Sequence, residues 1–225
     1  MSLPAPLAGF LAAVFLAAAA LCAVSLWRRR GRHEGVAAAA EANHVVMGLG
    51  MAVMVLPATM GAVPPVGGAV AFGVVGGAWA VRLVVLRRQD RSLGAPVGGG
   101  RCGAHPTHLL LSNAAMVVMY VAMIPTGGST AGMADMPGMD MSAHAGPPPL
   151  ALSALGAALA VYLLVHSAIT VGVVVRSSVG TVAADVGPGA AGAAARLGRA
   201  VDSSAVQLGC QAVTGIGMAL MLLVH

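Results

Sequence analysis

Six stretches of predominantly apolar residues, each long enough to cross a lipid bilayer, constrain the fold more than any other feature. They lie at residues 6–26, 42–61, 66–86, 106–125, 150–174 and 204–224. A membrane-spanning helix needs about 20 apolar residues, and a helix satisfies its own backbone hydrogen bonds in lipid. Only 8% of the residues are charged, whereas about 25% are charged in a soluble domain. The sequence therefore predicts an all-α, multi-pass protein of the plasma membrane, with one six-helix domain over residues 1–225.

The basic residues indicate how this domain is oriented. All 12 are Arg, and they lie in or beside the segments that follow the first, third and fifth stretches. The segment 126–149 has only two charged residues, Asp135 and Asp140. Because Lys and Arg are enriched in cytoplasmic loops, we expect both termini and residues 126–149 to be extracytoplasmic. The net charge of +5 then reflects orientation in the bilayer, and no nucleic-acid partner is expected.

Methionine is confined to part of the sequence. Of the 14 Met residues, all except Met1 lie in the second, fourth and sixth stretches or in the segment 126–149. The first, third and fifth stretches contain no Met at all. A general need for flexible apolar side chains does not explain this absence. The distribution therefore indicates a role for the thioether group itself.

Each even-numbered stretch carries a one-sided row of soft metal ligands, headed by His or Cys at its predicted cytoplasmic end. At 3.6 residues per turn, the spacing within each row places its members on one face of a helix. We call these rows the Met ladders. Their members are His44, Met47, Met51 and Met54 on the second stretch, His108, Met116, Met119 and Met123 on the fourth, and Cys210, Met218, Met221 and His225 on the sixth. Since alternate helices run in the same direction, the ladders can face a common axis.

The segment 126–149 adds a second group of the same ligands. It contains Met133, Met136, Met139, Met141 and His144 within the string GMADMPGMDMSAH. Thioether sulfur is a soft, uncharged ligand that favours Cu(I) over zinc and hard cations, and imidazole binds copper as well. The sequence therefore predicts a membrane protein that captures Cu(I) at this outer loop and relays or transports it along the ladders.

Two resemblances accompany this pattern. The loop string resembles the Met-rich copper-binding segments of copper-resistance and copper-transport proteins, which implies copper as the metal ion and a copper chaperone or a cuproenzyme as partner. The string NHVVMGLGMAVMVLP, from Asn43 to Pro57, resembles an uncharacterised family of actinobacterial multi-pass membrane proteins. That second resemblance implies a membrane fold and no particular activity.

Three further features remain open on sequence alone. Cys102, His105 and His108 recur every three residues before and within the fourth stretch, where they would either bind metal or lie in an unrelated inner loop. His166 lies within the fifth stretch, where an ionisable side chain usually marks function but a hydrogen-bonded neutral imidazole is equally consistent. The small residues Ala69, Gly73 and Gly77 predict the face on which the third helix packs against its neighbours.

Two other functions fit the same residues. His44 and His108 are candidate axial ligands of a haem b in an electron-transfer protein. The chain is alternatively a structural or accessory subunit of a membrane complex, in which the ladder Met residues only fill the core. No pattern of nucleophile, base or deep carboxylate indicates catalysis, so we do not expect an enzyme.

Overall fold

The computed structural model describes residues 4–28, 35–59, 63–88, 106–124, 150–181 and 204–224. These residues form six α-helices and one short 3-10 helix, and the described part of the chain contains no β-strand. The helices are α1 (Ala5–Arg28), α2 (Gly35–Val55), α3 (Pro65–Arg88), α4 (Pro106–Ala122), α5 (Leu150–Thr181) and α6 (Ser204–Val224), and the 3-10 helix is Pro57–Thr59. The prediction of an all-α chain is confirmed.

Proline determines several of the helix ends. Pro65 and Pro106 are the first residues of α3 and α4, a position where the missing N–H costs no hydrogen bond. Helix α2 ends at Val55 rather than at the predicted residue 61. Pro57 disfavours a helical conformation at the residue before it, so the chain leaves α2 and forms the short 3-10 turn instead.

Four of the six helices are long and apolar enough to cross a membrane. The qualifying segments are Ala5–Arg28, Ala38–Val55, Pro65–Arg88 and Leu150–Val175, whereas Pro106–Ala122 and Leu208–Leu223 are shorter apolar helices. Many large apolar side chains on α1, α3 and α5 are exposed, among them Phe10, Val74 and Ile169. Exposed apolar faces on long helices are expected in lipid, so the protein is a membrane protein.

The helices pack as three consecutive antiparallel hairpins, α1 with α2, α3 with α4 and α5 with α6. Contacts between the hairpins run mainly through α2, α4 and α6, which also touch one another. Helix α4 is antiparallel to α5, because Val118 lies against Gly156 and His108 against His166. It follows that α2, α4 and α6 run in the same direction and form the centre of the bundle.

The buried face of α3 differs from the predicted one by a single residue. Gly68, Phe72, Gly76 and Trp79 are buried, whereas Gly73 and Gly77 have no neighbouring atom within 4 Å of a built Cβ. Tyr120 on α4 explains the register, because a Cβ at Gly68 would lie 2.3 Å from its ring. The predicted contact face of Ala69, Gly73 and Gly77 is therefore wrong, and of these three only Ala69 packs partly against the core.

Candidate functional site

The structure buries the Met residues of all three ladders. Met51 and Met116 have no exposed surface, and the other buried members are Met47, Met54, Met119, Met218 and Met221. These seven residues belong to one cluster at the centre of the bundle, and Met123 packs against it. The cluster also contains Phe15, Leu159 and Leu163, so the thioethers share their surroundings with side chains that cannot bind a metal.

A close approach between α2 and α4 brings two of the ladders together. A Cβ built on Gly50 would lie 3.0 Å from Cε of Met116. Met116 therefore reaches across to the backbone of α2 one residue before Met51. Glycine leaves the room that this contact needs.

Asn43 and Asn113 form a buried hydrogen bond between the same two helices. Asn113 Nδ2 donates to Asn43 Oδ1 at 3.1 Å and to the carbonyl oxygen of Leu109 at 2.7 Å. Asn43 Nδ2 in turn donates to the sulfur of Met47 at 3.2 Å. The sequence analysis missed both asparagines, although an amide inside an apolar helix often binds a neighbouring helix. The sulfur of Met47 thus already accepts a hydrogen bond on one of its two lone pairs.

His44, at the head of the α2 ladder, is buried and held in one tautomer. Its Nδ1 lies 2.8 Å from the carbonyl oxygen of Ala40. A carbonyl can only accept, so Nδ1 carries the proton and Nε2 of the neutral ring keeps its lone pair. Histidine ligands of metals are commonly held in this way by a carbonyl on the other nitrogen. The chemistry of the His44 ring therefore suits a metal ligand.

His108 heads the α4 ladder and stacks on His166 of α5. The two ring centroids are 4.0 Å apart and the ring planes differ by 19°. Tyr162 extends the stack, with its ring 5.9 Å from that of His166, and Ser112 Oγ lies 3.5 Å from His108 Nε2. The sequence analysis treated His108 and His166 as separate features. We call these four side chains the imidazole stack.

Polar side chains concentrate in one half of the bundle. The Asn43–Asn113 pair, His44 and the imidazole stack lie towards the first residues of α2 and α4. Gln211 and Thr214 are buried in the corresponding part of α6, and Ser25 of α1 hydrogen-bonds the buried carboxylate of Glu41 at 3.3 Å. The Met residues follow towards the other end of α2, α4 and α6. The core therefore changes from amide and imidazole groups to thioethers along the bundle.

Several predicted site residues lie outside the described part of the chain. They are Met133, Met136, Met139, Met141, His144 and His225. Cys102 and His105, whose role the sequence leaves open, also lie outside it. Cys210 is described and is half-buried. Within the described ranges no group of three or more His, Cys, Asp or Glu side chains is placed to hold a metal ion. A metal site of three or more side chains there would have to include a residue outside these four types, and the Met sulfurs are the soft ligands among them.

Comparison with known proteins identifies one matching family. A family model described as a domain of unknown function (DUF5134) matches residues 36–225. No curated protein and no solved structure matches the chain.

Proposed function

The chain belongs to the DUF5134 family, whose description names no activity, and we propose from its own residues that it is an integral membrane copper-binding protein. In this proposal Cu(I) is captured at the outer loop 126–149 and is relayed or transported along the Met ladders. The observation that carries the proposal is the burial of seven Met side chains, from three parallel helices, in one central cluster. The copper-binding character of the loop rests on its sequence alone.

The chemistry of the ladders fits Cu(I) better than other ions. Thioether sulfur is soft and uncharged, so it can bind Cu(I) inside the membrane without adding charge, whereas zinc and hard cations prefer other ligands. The polar half of the bundle then offers imidazole nitrogen at His44 and the thiol of Cys210. If the positive-inside pattern holds, ligand strength rises from the outside towards the cytoplasm, which favours inward movement or storage.

Elemental analysis of the detergent-purified protein tests the proposal. The protein is purified from cells grown with added copper, alongside a variant in which Met51, Met54, Met116 and Met119 are all changed to Leu. We call this the four-Leu variant. We expect at least one copper per wild-type chain and much less in the four-Leu variant. Absence of copper from the wild type, or equal copper in both proteins, would contradict the proposal.

A matched control separates loss of sulfur from disturbance of the core. Leu159 and Leu163 belong to the same buried cluster, and changing both to Ile alters its packing while leaving the number of thioethers unchanged. Leu and Ile have similar volumes, so each swap costs less than about 1.5 kcal/mol. We expect this control to keep its copper.

The haem alternative is distinguished in the same preparation. A haem b protein absorbs strongly in the Soret region, so a colourless preparation excludes haem. We prefer copper because the Met cluster has no role in haem ligation by two histidines. A red preparation without copper would reverse that preference.

A further inference from the structure

Helices α1 and α6 pack antiparallel in a register fixed by one close contact. A Cβ at Gly217 of α6 would lie 2.3 Å from the ring of Phe15 on α1. Seven residues are close to two full helical turns. Moving seven residues forward from Phe15 and seven back from Gly217 therefore brings Cys22 opposite Cys210 on the same pair of faces.

The side chains confirm this register, because Cys22 and Cys210 share a hydrogen bond. Neither cysteine is in a disulfide, and Cys22 is buried while Cys210 is half-buried. Both lie in the polar half of the bundle, where Ser25 follows Cys22 by almost one turn and Gln211 is adjacent to Cys210. The two thiols are 188 positions apart in the sequence, so only the fold brings them together.

Two adjacent thiols have a specific metal preference. Thiolate sulfur is the softest ligand that proteins offer and favours Cu(I), zinc and iron–sulfur clusters over hard cations. Cu(I) is stable with two sulfur ligands, whereas zinc takes four ligands in structural sites. No group of three His, Cys, Asp or Glu side chains that could hold a metal occurs in the described residues, so the thiol pair lacks the ligand set that zinc requires.

We infer that Cys22 and Cys210 form a two-thiolate Cu(I) site at the polar end of the Met ladders. Binding of one Cu(I) releases the two thiol protons and forms two Cu–S bonds, leaving one net negative charge and no change of oxidation state. The inference rests on the proposed function. In that function the two thiolates would be the strongest Cu(I) ligands along the Met ladders. In the predicted orientation the site lies in the cytoplasmic half, where thiols stay reduced.

Near-ultraviolet absorption tests this site directly, because thiolate-to-Cu(I) charge transfer gives a band that thioether and imidazole ligands do not. One equivalent of Cu(I) is added without oxygen to the full-length protein in detergent. The variants are C22S, C210S and, as a matched control, C102S, which removes the third cysteine of the chain. We expect the band in the wild type and in C102S and its loss in C22S and C210S.

Competition with a Cu(I) chelator measures how far each substitution lowers the affinity for Cu(I). Loss of even an outer partner of a metal ligand lowers affinity about 10–100-fold, so we expect each of C22S and C210S to lower Cu(I) affinity by at least that factor. Unchanged affinity in both variants would overturn the inference. A disulfide between the two residues in protein isolated from cells would also overturn it.

The experiment separates this site from the Met ladders. A wild-type protein that binds copper without the thiolate band overturns the thiol site and leaves the proposed function standing. A four-Leu variant that keeps both the band and all its copper supports the thiol site and contradicts the ladders. If a serine variant fails to fold, N-ethylmaleimide labelling of C102S, counted by mass spectrometry, replaces it. Copper should then protect both remaining thiols, and unchanged labelling would contradict the site.

Discussion

Single side chains inside the bundle show what periodicity can and cannot reveal. The Met ladders were predictable because a helix repeats every 3.6 residues, and seven of their Met residues lie in one buried cluster. The partners of these residues were not predictable. His166 stacks on His108 and Asn113 binds Asn43, and both contacts depend on how separate helices pack, which no spacing within one helix encodes.

The Asn43–Asn113 bond should contribute measurably to stability. Changing Asn113 to Ala removes its bond to Asn43 and to the carbonyl oxygen of Leu109. A double-mutant cycle with Asn43→Ala isolates the pair, and interhelical hydrogen bonds in membrane proteins average about 0.6 kcal/mol with a maximum near 1.7. We expect a coupling free energy in that range from unfolding in detergent. Strictly additive effects would show that the bond adds nothing.

Met47 should behave differently from the other ladder residues. Its sulfur accepts a hydrogen bond from the buried amide of Asn43, and a buried donor left without an acceptor costs about 1–3 kcal/mol. We therefore expect Met47→Leu to lower the melting temperature more than Met51→Leu does. Thermal unfolding of the two variants without copper measures this difference, and equal melting temperatures would contradict it.

At the scale of helices, α3 shows that the positions of small residues in the sequence do not by themselves predict which face of a helix is buried. Two adjacent faces of α3 carry small residues, with Gly68 and Gly76 eight positions apart on one face and Gly73 and Gly77 four positions apart on the other. Which face is buried depends on the ring of Tyr120, which lies over Gly68 and stacks on Phe72 at 5.8 Å. Residue size within α3 could not indicate the position of a side chain on α4.

Paired glycine variants test this register. Gly68→Ala would place a Cβ 2.3 Å from the Tyr120 ring, and overpacking of this kind typically costs about 1–3 kcal/mol. Gly73→Ala meets no atom within 4 Å and gains helix propensity. We expect Gly68→Ala to lower the melting temperature and Gly73→Ala to leave it unchanged or raise it. The reverse order would support the face predicted from sequence.

At the scale of the whole molecule, the all-helical membrane fold was predictable because apolar length and low charge leave few alternatives. The hairpin arrangement was only partly predictable. Alternation of direction follows from consecutive spans, but the contacts of α2, α4 and α6 with one another at the centre depend on packing. The Met ladders predict that α2, α4 and α6 contact one another only if the ladders are assumed to face a common axis.

Orientation in the membrane remains a prediction of the Arg distribution. An alkaline phosphatase domain fused after His225 should be active, because that enzyme matures only outside the cytoplasm. The same domain fused after Arg199, in the segment predicted to be cytoplasmic, should be inactive. Opposite activities in the two fusions would reverse the proposed direction of the ladders without affecting their ability to bind copper.

The central claim is that buried thioethers from three helices bind Cu(I). Titration of purified protein with Cu(I) in competition with a chelator measures this most directly, comparing the wild type, the four-Leu variant and the control with Leu159 and Leu163 changed to Ile. We expect the wild type and the control to bind Cu(I) with equal stoichiometry and the four-Leu variant to bind fewer equivalents. Equal stoichiometry and affinity in all three proteins would show that the Met cluster is only a packed core.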